Sequence, residues 1–202
     1  MEFHIRAATH PAKLAILAGA FYPPTRAHLA LAEAALALVD EVVFVLPRQF
    51  PHKEYCGAGF EERLELLRAA LAGQPRFALA STPQGLFIDL AREARRDYGQ
   101  DTELFLLCGR DAAERIVSWD YGDGDGIRKQ LEEFQLIVAS RGRSYEPPPE
   151  LRARVISIGL SHDEVSSSEI RRRIRAGERW QDLAPAGAIP LIEARLDLWS
   201  GE

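Results

Sequence analysis

What this chain lacks narrows it first. It has two cysteines, Cys56 and Cys108, and they form no Cys-x-x-Cys pair, so neither a redox motif nor a structural zinc site is indicated. No apolar run reaches the ~20 residues of a membrane-spanning helix. The opening Met1-Glu2-Phe3-His4-Ile5-Arg6 lacks the apolar stretch of a secretory signal, so a cytoplasmic protein with no membrane partner is expected. Gly122, Gly124 and Gly126 have the wrong spacing for the Gly-x-Gly-x-x-Gly turn of dinucleotide-dependent oxidoreductases, and the Gly-x-x-x-x-Gly-Lys-(Ser/Thr) of P-loop kinases is absent. An excess of cations is missing too. With 25 Lys and Arg against 30 Asp and Glu, the net charge of −5 argues against nucleic-acid binding, whose affinity comes mainly from cations on phosphates. The run from Tyr121 to Gly126 has no terminal Glu and reads as a surface loop rather than a calcium loop. His52 and Cys56 stand between Pro51 and Gly57, which favour a loop over a shared helical face, so no metal ligand is assigned.

What is there is an alternation. The 202 residues suit one domain with a small C-terminal addition. Apolar runs at 14–18, 41–47, 76–80, 103–108, 134–139 and 155–158 read as strands, the second cut off by Pro47. Residues 26–39, 61–71 and 85–97 read as helices, the second carrying Leu64, Leu67 and Leu71 on one stripe. Residues 1–12 are an extension of uncertain structure, and Glu146-Pro147-Pro148-Pro149-Glu150 is a stiff exposed connection. Strands separated by helices require crossovers, which predicts an α/β, Rossmann-like, doubly wound parallel sheet with a small C-terminal helical addition. Ligands of such sheets bind beyond the carboxyl ends of the strands.

The stretch at the end of the first strand carries the chemistry. Ala18-Gly19-Ala20-Phe21-Tyr22-Pro23-Pro24-Thr25-Arg26-Ala27-His28 runs from strand through a tight loop into a helix. Gly19 permits close backbone approach, and Thr25 is a good N-cap for a helix whose third residue is His28. Unpaired N–H groups and the helix dipole there favour an anion, which is a phosphate site in outline. The plainer alternative is a capped helix whose histidine packs against the loop.

A second helix start lies at Val165-Ser166-Ser167-Ser168-Glu169-Ile170-Arg171. Ser166 and Glu169 have capping-box spacing, and Gly177 ends the helix. Serine hydroxyls, backbone N–H groups and an arginine one turn in again make an anion cradle. The bland reading is a surface helix whose arginines are solvated.

The first stretch resembles the signature loop of the nucleotidyltransferase superfamily with His-x-Gly-His or Thr-x-x-His at its helix start. The nearest form is the Gly-Gly-x-Phe-(Asp/Asn)-Pro-x-(His/Thr)-x-x-His of bacterial nicotinate mononucleotide adenylyltransferases. Gly19, Phe21, Pro23, Thr25 and His28 match it, whereas Ala18, Tyr22 and Ala27 depart. Residues 165–171 resemble the family's second signature, Ile-Ser-Ser-Thr-x-Ile-Arg, and the two occur in the family's order. Pro51-His52-Lys53 with Arg63 and Leu67, Gly109-Arg110-Asp111 with Trp119, Leu136 to Gly142 and Trp180 to Leu196 are smaller matches.

The resemblance implies a single nucleotidyltransferase domain over 1–202, with an N-terminal extension at 1–12 and a helical part at 165–202. It implies ATP and a small phosphorylated acceptor as substrates, with magnesium bound mainly through substrate phosphates and no protein metal ligand. It assigns catalysis to His28, Thr25 and Arg171, and nucleotide binding to these with Gly19, Ala20, Phe21, Gly109, Asp111, Arg141, Ser166 and Ser167. Lys53, Phe87 and Trp119 are the acceptor-side candidates.

An acceptor phosphate oxygen would attack the α-phosphate and release pyrophosphate. That nucleophile is already ionised, so the barrier is alignment and crowded negative charge, and no base is required. His28 would donate to the phosphates while Arg171, Ser166 and Ser167 hold their far end. The acceptor pocket is less well matched. Gly85-Leu86-Phe87 stands where the family has a hydroxyl-bearing segment, and Ala112 follows Asp111 in place of serine. A related enzyme using another acceptor or CTP, and a nucleotide-binding protein without transfer activity, are the alternatives. Oligomeric state, a homo-oligomer included, is left open.

Overall fold

A computed structural model describes all residues except 9, 50–57, 84, 119–125, 142–143, 161–164 and 201–202, and the side chains of residues 141, 160 and 200. Its frame is a seven-stranded sheet in the order β1-β4-β3-β2-β5-β6-β7. The strands are β1 (Glu2–Ile5), β2 (Lys13–Ala18), β3 (Glu41–Pro47), β4 (Phe77–Thr82), β5 (Glu103–Gly109), β6 (Gln135–Arg141) and β7 (Val155–Leu160). Strands β2 to β7 run parallel.

Every residue of β3 and of β4 is buried, as expected of strands covered on both faces. Side chains alternate between faces with period two. Leu14, Ile16, Val43, Val45, Leu104 and Leu106 pack on one side against Leu90, Ala91 and Ala94 of α3 (Phe87–Tyr98) and Ala113 of α4 (Arg110–Ser118). Ala15, Leu17, Phe44, Leu46, Phe105 and Leu107 pack on the other, against Leu31, Ala32 and Ala35 of α1 (Arg26–Ala35) and Leu64, Leu67 and Leu71 of α2 (Phe60–Leu71). The chain winds from β2 through β3 to β4, then α3 carries it back past β2 to β5. The order therefore reverses between β2 and β5, and right-handed crossovers put α1 and α2 on the face opposite α3 and α4. The crevice at that reversal is the doubly wound sheet's natural ligand site.

Several boundaries differ from the sequence expectation. Within residues 1–12, whose structure the sequence left open, β1 pairs antiparallel with β4, Glu2 opposite Ser81 and Phe3 opposite Ala80, and forms the sheet's edge. The first helix stops at Ala35 although Leu36 to Val39 would favour its continuation. The chain must turn into β3, and the Arg76 guanidinium takes the freed carbonyls, donating to Val39 O at 2.6 Å, Asp40 O at 2.7 Å and Leu36 O at 3.3 Å. Helices α4 and α5 (Gly126–Gln130) were not expected. Beyond Trp180 lie two short helices, α7 (Ile189–Glu193) and α8 (Asp197–Ser200). These, with α6 (Ser167–Ala176), enclose a third core in which Ile170, Trp180, Leu183, Ile192 and Trp199 pack around Tyr22 and Leu66.

Candidate active site

The candidate site begins where β2 ends. Gly19 N still donates to Val45 O at 3.2 Å, so the chain leaves the sheet one residue past the strand. At Gly19 a Cβ would come within 3.2 Å of the Phe21 ring, tighter than ordinary contact, so the glycine makes room for that ring. Phe21 sits at φ 48°, a left-handed conformation that a bulky residue adopts only when its surroundings hold it. They do: the ring is 2% exposed and packs on Phe44 at 5.8 Å between centroids and edge-on to His28 at 5.1 Å. Phe21 is thus locked between Phe44 and His28 beneath the loop.

Thr25 is the N-cap of α1 and closes a complete capping box with His28. The Thr25 hydroxyl accepts from His28 N at 3.3 Å, and Thr25 N donates to His28 Nδ1 at 3.0 Å, with Thr25 Oγ1 2.8 Å from the same nitrogen. A backbone N–H only donates, so Nδ1 is the acceptor and the neutral ring carries its proton on Nε2. Thr25 is 1% exposed while the His28 ring is half-buried. The capping bond thus sets the tautomer that presents a donor.

The loop between Gly19 and Thr25 is held by three of its carbonyls from two distant helices, α2 and α6. Arg63 of α2, 4% exposed, donates from Nη1 to Ala20 O at 3.1 Å and from Nε to Gly59 O at 3.1 Å. Arg171 of α6 donates to Tyr22 O at 2.6 Å, and Ser167 Oγ donates to Pro23 O at 2.7 Å. Carbonyls turned into these donors are turned out of the anion pocket, which favours a negative ligand there. Arg63 had been matched by resemblance without a role. An arginine amid leucines on an amphipathic helix gives no sign of which backbone it will reach.

The second motif thus lies against the first. Ser166 caps α6, accepting from Glu169 N at 3.1 Å, and Arg171 also donates to Ser168 Oγ at 3.3 Å. Glu169 turns to the guanidinium groups of Arg172 and Arg173, both at 2.8 Å, and they hold its carboxyl down at about 2.

Across the crevice, Ile16 of β2 pairs with Leu106 of β5, so three residues on Gly19 and Gly109 leave neighbouring strand ends. A Cβ on Gly109 would meet nothing, and Asp111 stands exposed in the first turn of α4. Arg141 ends β6, and its side chain lies outside the described residues. Of the acceptor candidates, Lys53 and Trp119 also lie outside them, together with His52, Cys56 and the run 121–125. Phe87 opens α3, half-buried against the core, while Gly85 packs on Pro47 and Leu86 is exposed. The N-cap of α3, Leu86, makes no side-chain capping bond. Among the described residues no group of three or more His, Cys, Asp or Glu is placed to hold a metal ion, and no helix is long and apolar enough to cross a membrane.

Comparison with known proteins gives the same picture. Residues 16–173 match the cytidylyltransferase-like family. A Thermus thermophilus protein named "Probable nicotinate-nucleotide adenylyltransferase" is 31% identical over 188 residues, 90% of this chain and 96% of its own. A Geobacillus kaustophilus protein of the same name is 32% identical over 198 residues, 91% of this chain and 84% of its own. Among solved structures, Plasmodium falciparum nicotinic acid mononucleotide adenylyltransferase complexed with NaAD superposes with a TM-score of 0.68 at 17% identity, over 94% of this chain and 98% of that one, which shows a shared fold.

Proposed function

We propose that this chain, which belongs to the cytidylyltransferase-like family, is an adenylyltransferase of NAD biosynthesis that joins ATP to nicotinate mononucleotide and releases pyrophosphate. The observation that carries the reading is the Thr25–His28 capping box, which makes Nδ1 the acceptor and leaves the imidazole N–H on Nε2, at an anion-favouring helix start by the sheet's topological reversal.

Each residue then has a task in the in-line displacement. The acceptor phosphate is already an anion, so catalysis is alignment plus neutralisation of the charge that moves to the leaving pyrophosphate. His28 Nε2–H donates to phosphate oxygens as that charge develops, and Thr25 keeps the ring in place. The Ala20 to Thr25 backbone lines the triphosphate, its carbonyls held away by Arg63, Arg171 and Ser167. Arg171, with Ser166 and Ser167 beside it, closes the far end of the phosphates. A guanidinium has five donors, so it can hold a backbone carbonyl and a phosphate together. Gly109 leaves the crevice open for the nucleoside, and Asp111 and Arg141 stand on its far rim. Magnesium, a hard cation that keeps most of its waters, would be carried mainly by the triphosphate and would supply neutralisation of phosphate charge there.

The acceptor is placed by the start of α3. Its N-cap, Leu86, makes no side-chain capping bond, which leaves first-turn N–H groups for a neutral acceptor oxygen, while Asp89 in the same turn disfavours a further negative charge there. Lys53, Phe87 and Trp119 complete this side by family resemblance. A second reading, another phosphorylated acceptor or CTP, is favoured by the absence of a hydroxyl in Gly85-Leu86-Phe87 and by Ala112 after Asp111. ATP and its acceptor are cytoplasmic metabolites, and a net charge of −5 weighs against a nucleic-acid partner.

Pyrophosphate release with magnesium and ATP, comparing nicotinate mononucleotide, nicotinamide mononucleotide, no acceptor, and CTP for ATP, tests the reading. Release with ATP and nicotinate mononucleotide is expected; release only with another pair moves the assignment to that pair. No release with any pair, alongside ATP binding, would leave a binding protein.

A further inference from the structure

Tyr22 interrupts the family resemblance, standing where the matched motif has Asp or Asn, and the structure gives it four simultaneous contacts. Its ring packs against Trp199 of α8 at 5.4 Å between centroids. Its hydroxyl donates to Leu198 O at 3.0 Å. Its carbonyl accepts from Arg171 at 2.6 Å, and the same guanidinium lies 4.6 Å from its ring centroid. The residue is 6% exposed.

A cation within about 6 Å of an aromatic face is attracted by the ring's quadrupole, more strongly where water is excluded. Arg171 is therefore gripped twice by one residue, through the ring and through the carbonyl, with Ser168 Oγ as a third support. An arginine so held has little rotamer freedom left to lose when a phosphate arrives. Leu198 and Trp199 in turn hold Tyr22, and they belong to the last helix of the chain.

We propose that Tyr22 is the positioning residue for Arg171: it fixes the guanidinium at the nucleotide's phosphates and makes that fixing depend on the C-terminal helix α8. This rests on the reading of Arg171 as a phosphate ligand. A tyrosine that served only to seat α8 would need the Trp199 and Leu198 contacts alone, and the Arg171 contacts would have no functional effect.

The test uses the full chain and four changes, Tyr22→Leu, Tyr22→Phe, Arg171→Ala and Trp199→Leu, with Tyr22→Met replacing Tyr22→Leu should the latter not fold. ATP affinity is measured with magnesium by calorimetry, and kcat and KM for each substrate by pyrophosphate release. Tyr22→Leu is expected to weaken ATP binding and raise its KM about tenfold, while the KM for the acceptor stays within about twofold. Tyr22→Phe, which keeps the ring and carbonyl, should restore ATP binding to within about threefold of wild type. In the Arg171→Ala background, Tyr22→Leu should cost no further ATP affinity, because the group it positions is gone. Trp199→Leu should lower thermal stability with a smaller change in ATP affinity than Tyr22→Leu. Equal effects of Tyr22→Leu with and without Arg171, or a Trp199→Leu variant that loses stability with no loss of ATP affinity, would overturn the proposal. A wild type that binds ATP without turnover would overturn the proposed reaction instead, and the coupling would still be decided by ATP affinity.

Discussion

Two helices in this chain open on the same local pattern, Thr25-Arg26-Ala27-His28 and Ser166-Ser167-Ser168-Glu169, and are completed differently. In both, the capping hydroxyl accepts from the N–H three residues on. At α1 the third residue's side chain returns to the cap and closes the box, whereas at α6 the Glu169 carboxylate turns outward to Arg172 and Arg173. The reason lies in what approaches. An imidazole spends one nitrogen on the cap and presents the other as a donor to the mouth. A carboxylate in that position would face incoming phosphates with like charge, and two arginines instead tether it away. One local rule thus yields a helix start that carries out chemistry and another that holds the first in place through Ser167 and Arg171.

The comparison can be broken first at the third residues. His28→Ala should lower kcat by about a hundredfold or more, some 3 kcal/mol at a charge-stabilising position. Glu169→Ala should leave kcat within about threefold, because its carboxylate faces arginines and not substrate; similar losses in both, measured by pyrophosphate release, would make the two starts equivalent. Next is the loop they share. Arg63→Met should cost about 1 to 3 kcal/mol of stability in denaturant unfolding, since Gly59 O and the half-buried Ala20 O both lose a donor. It should also lower kcat/KM about tenfold as the loop loses its set. An Arg63→Met enzyme of wild-type activity would show that the loop needs no clamp from α2.

The caps themselves come third. Thr25→Ala and Ser166→Ala should each cost about 1 kcal/mol, as lost helix caps do. Only Thr25→Ala should also reduce kcat strongly, because His28 then loses one of the groups that orient it. The smallest effect is the pH dependence of the Glu169 cluster. Its carboxyl is held below the ordinary 4.5, at about 2, first by Arg172 and then by Arg173. A depressed acid stabilises the fold fully above its unfolded pKa and progressively less as pH falls toward its folded one. The melting temperature of wild type minus that of Glu169→Gln should therefore be positive and constant above about pH 5 and shrink toward zero as pH falls to about 2. A gap that persists at low pH would mean the cluster acts by packing rather than charge.

Much of this was legible in the chain before any coordinates. The apolar runs of β2 and β3, the caps at Thr25 and Ser166, the Gly177 stop at φ 65° and the two helix starts follow from short-range rules and lie as read. Residues 2–5 were not legible as a strand. They have no partner within hairpin reach and gain one only from β4, more than 70 residues away. Arg63 and Arg76 looked like ordinary helix-face and strand-start cations, and both are spent on backbone carbonyls of segments over 30 residues distant.

Tyr22 marks the boundary between the two kinds of knowledge. The sequence by itself determined the alternation of strands and helices and the two anion-favouring helix starts, because each depends on periodicity, caps and dipoles within a few residues. Only the tertiary structure decided that the departure at Tyr22 is filled by Trp199, Leu198 and Arg171, partners separated from it by 149 to 177 residues. Such contacts exist only once the sheet has brought the chain's ends together. The side chain that looked like a defect in the motif is, in the folded chain, its link to the C-terminal helix.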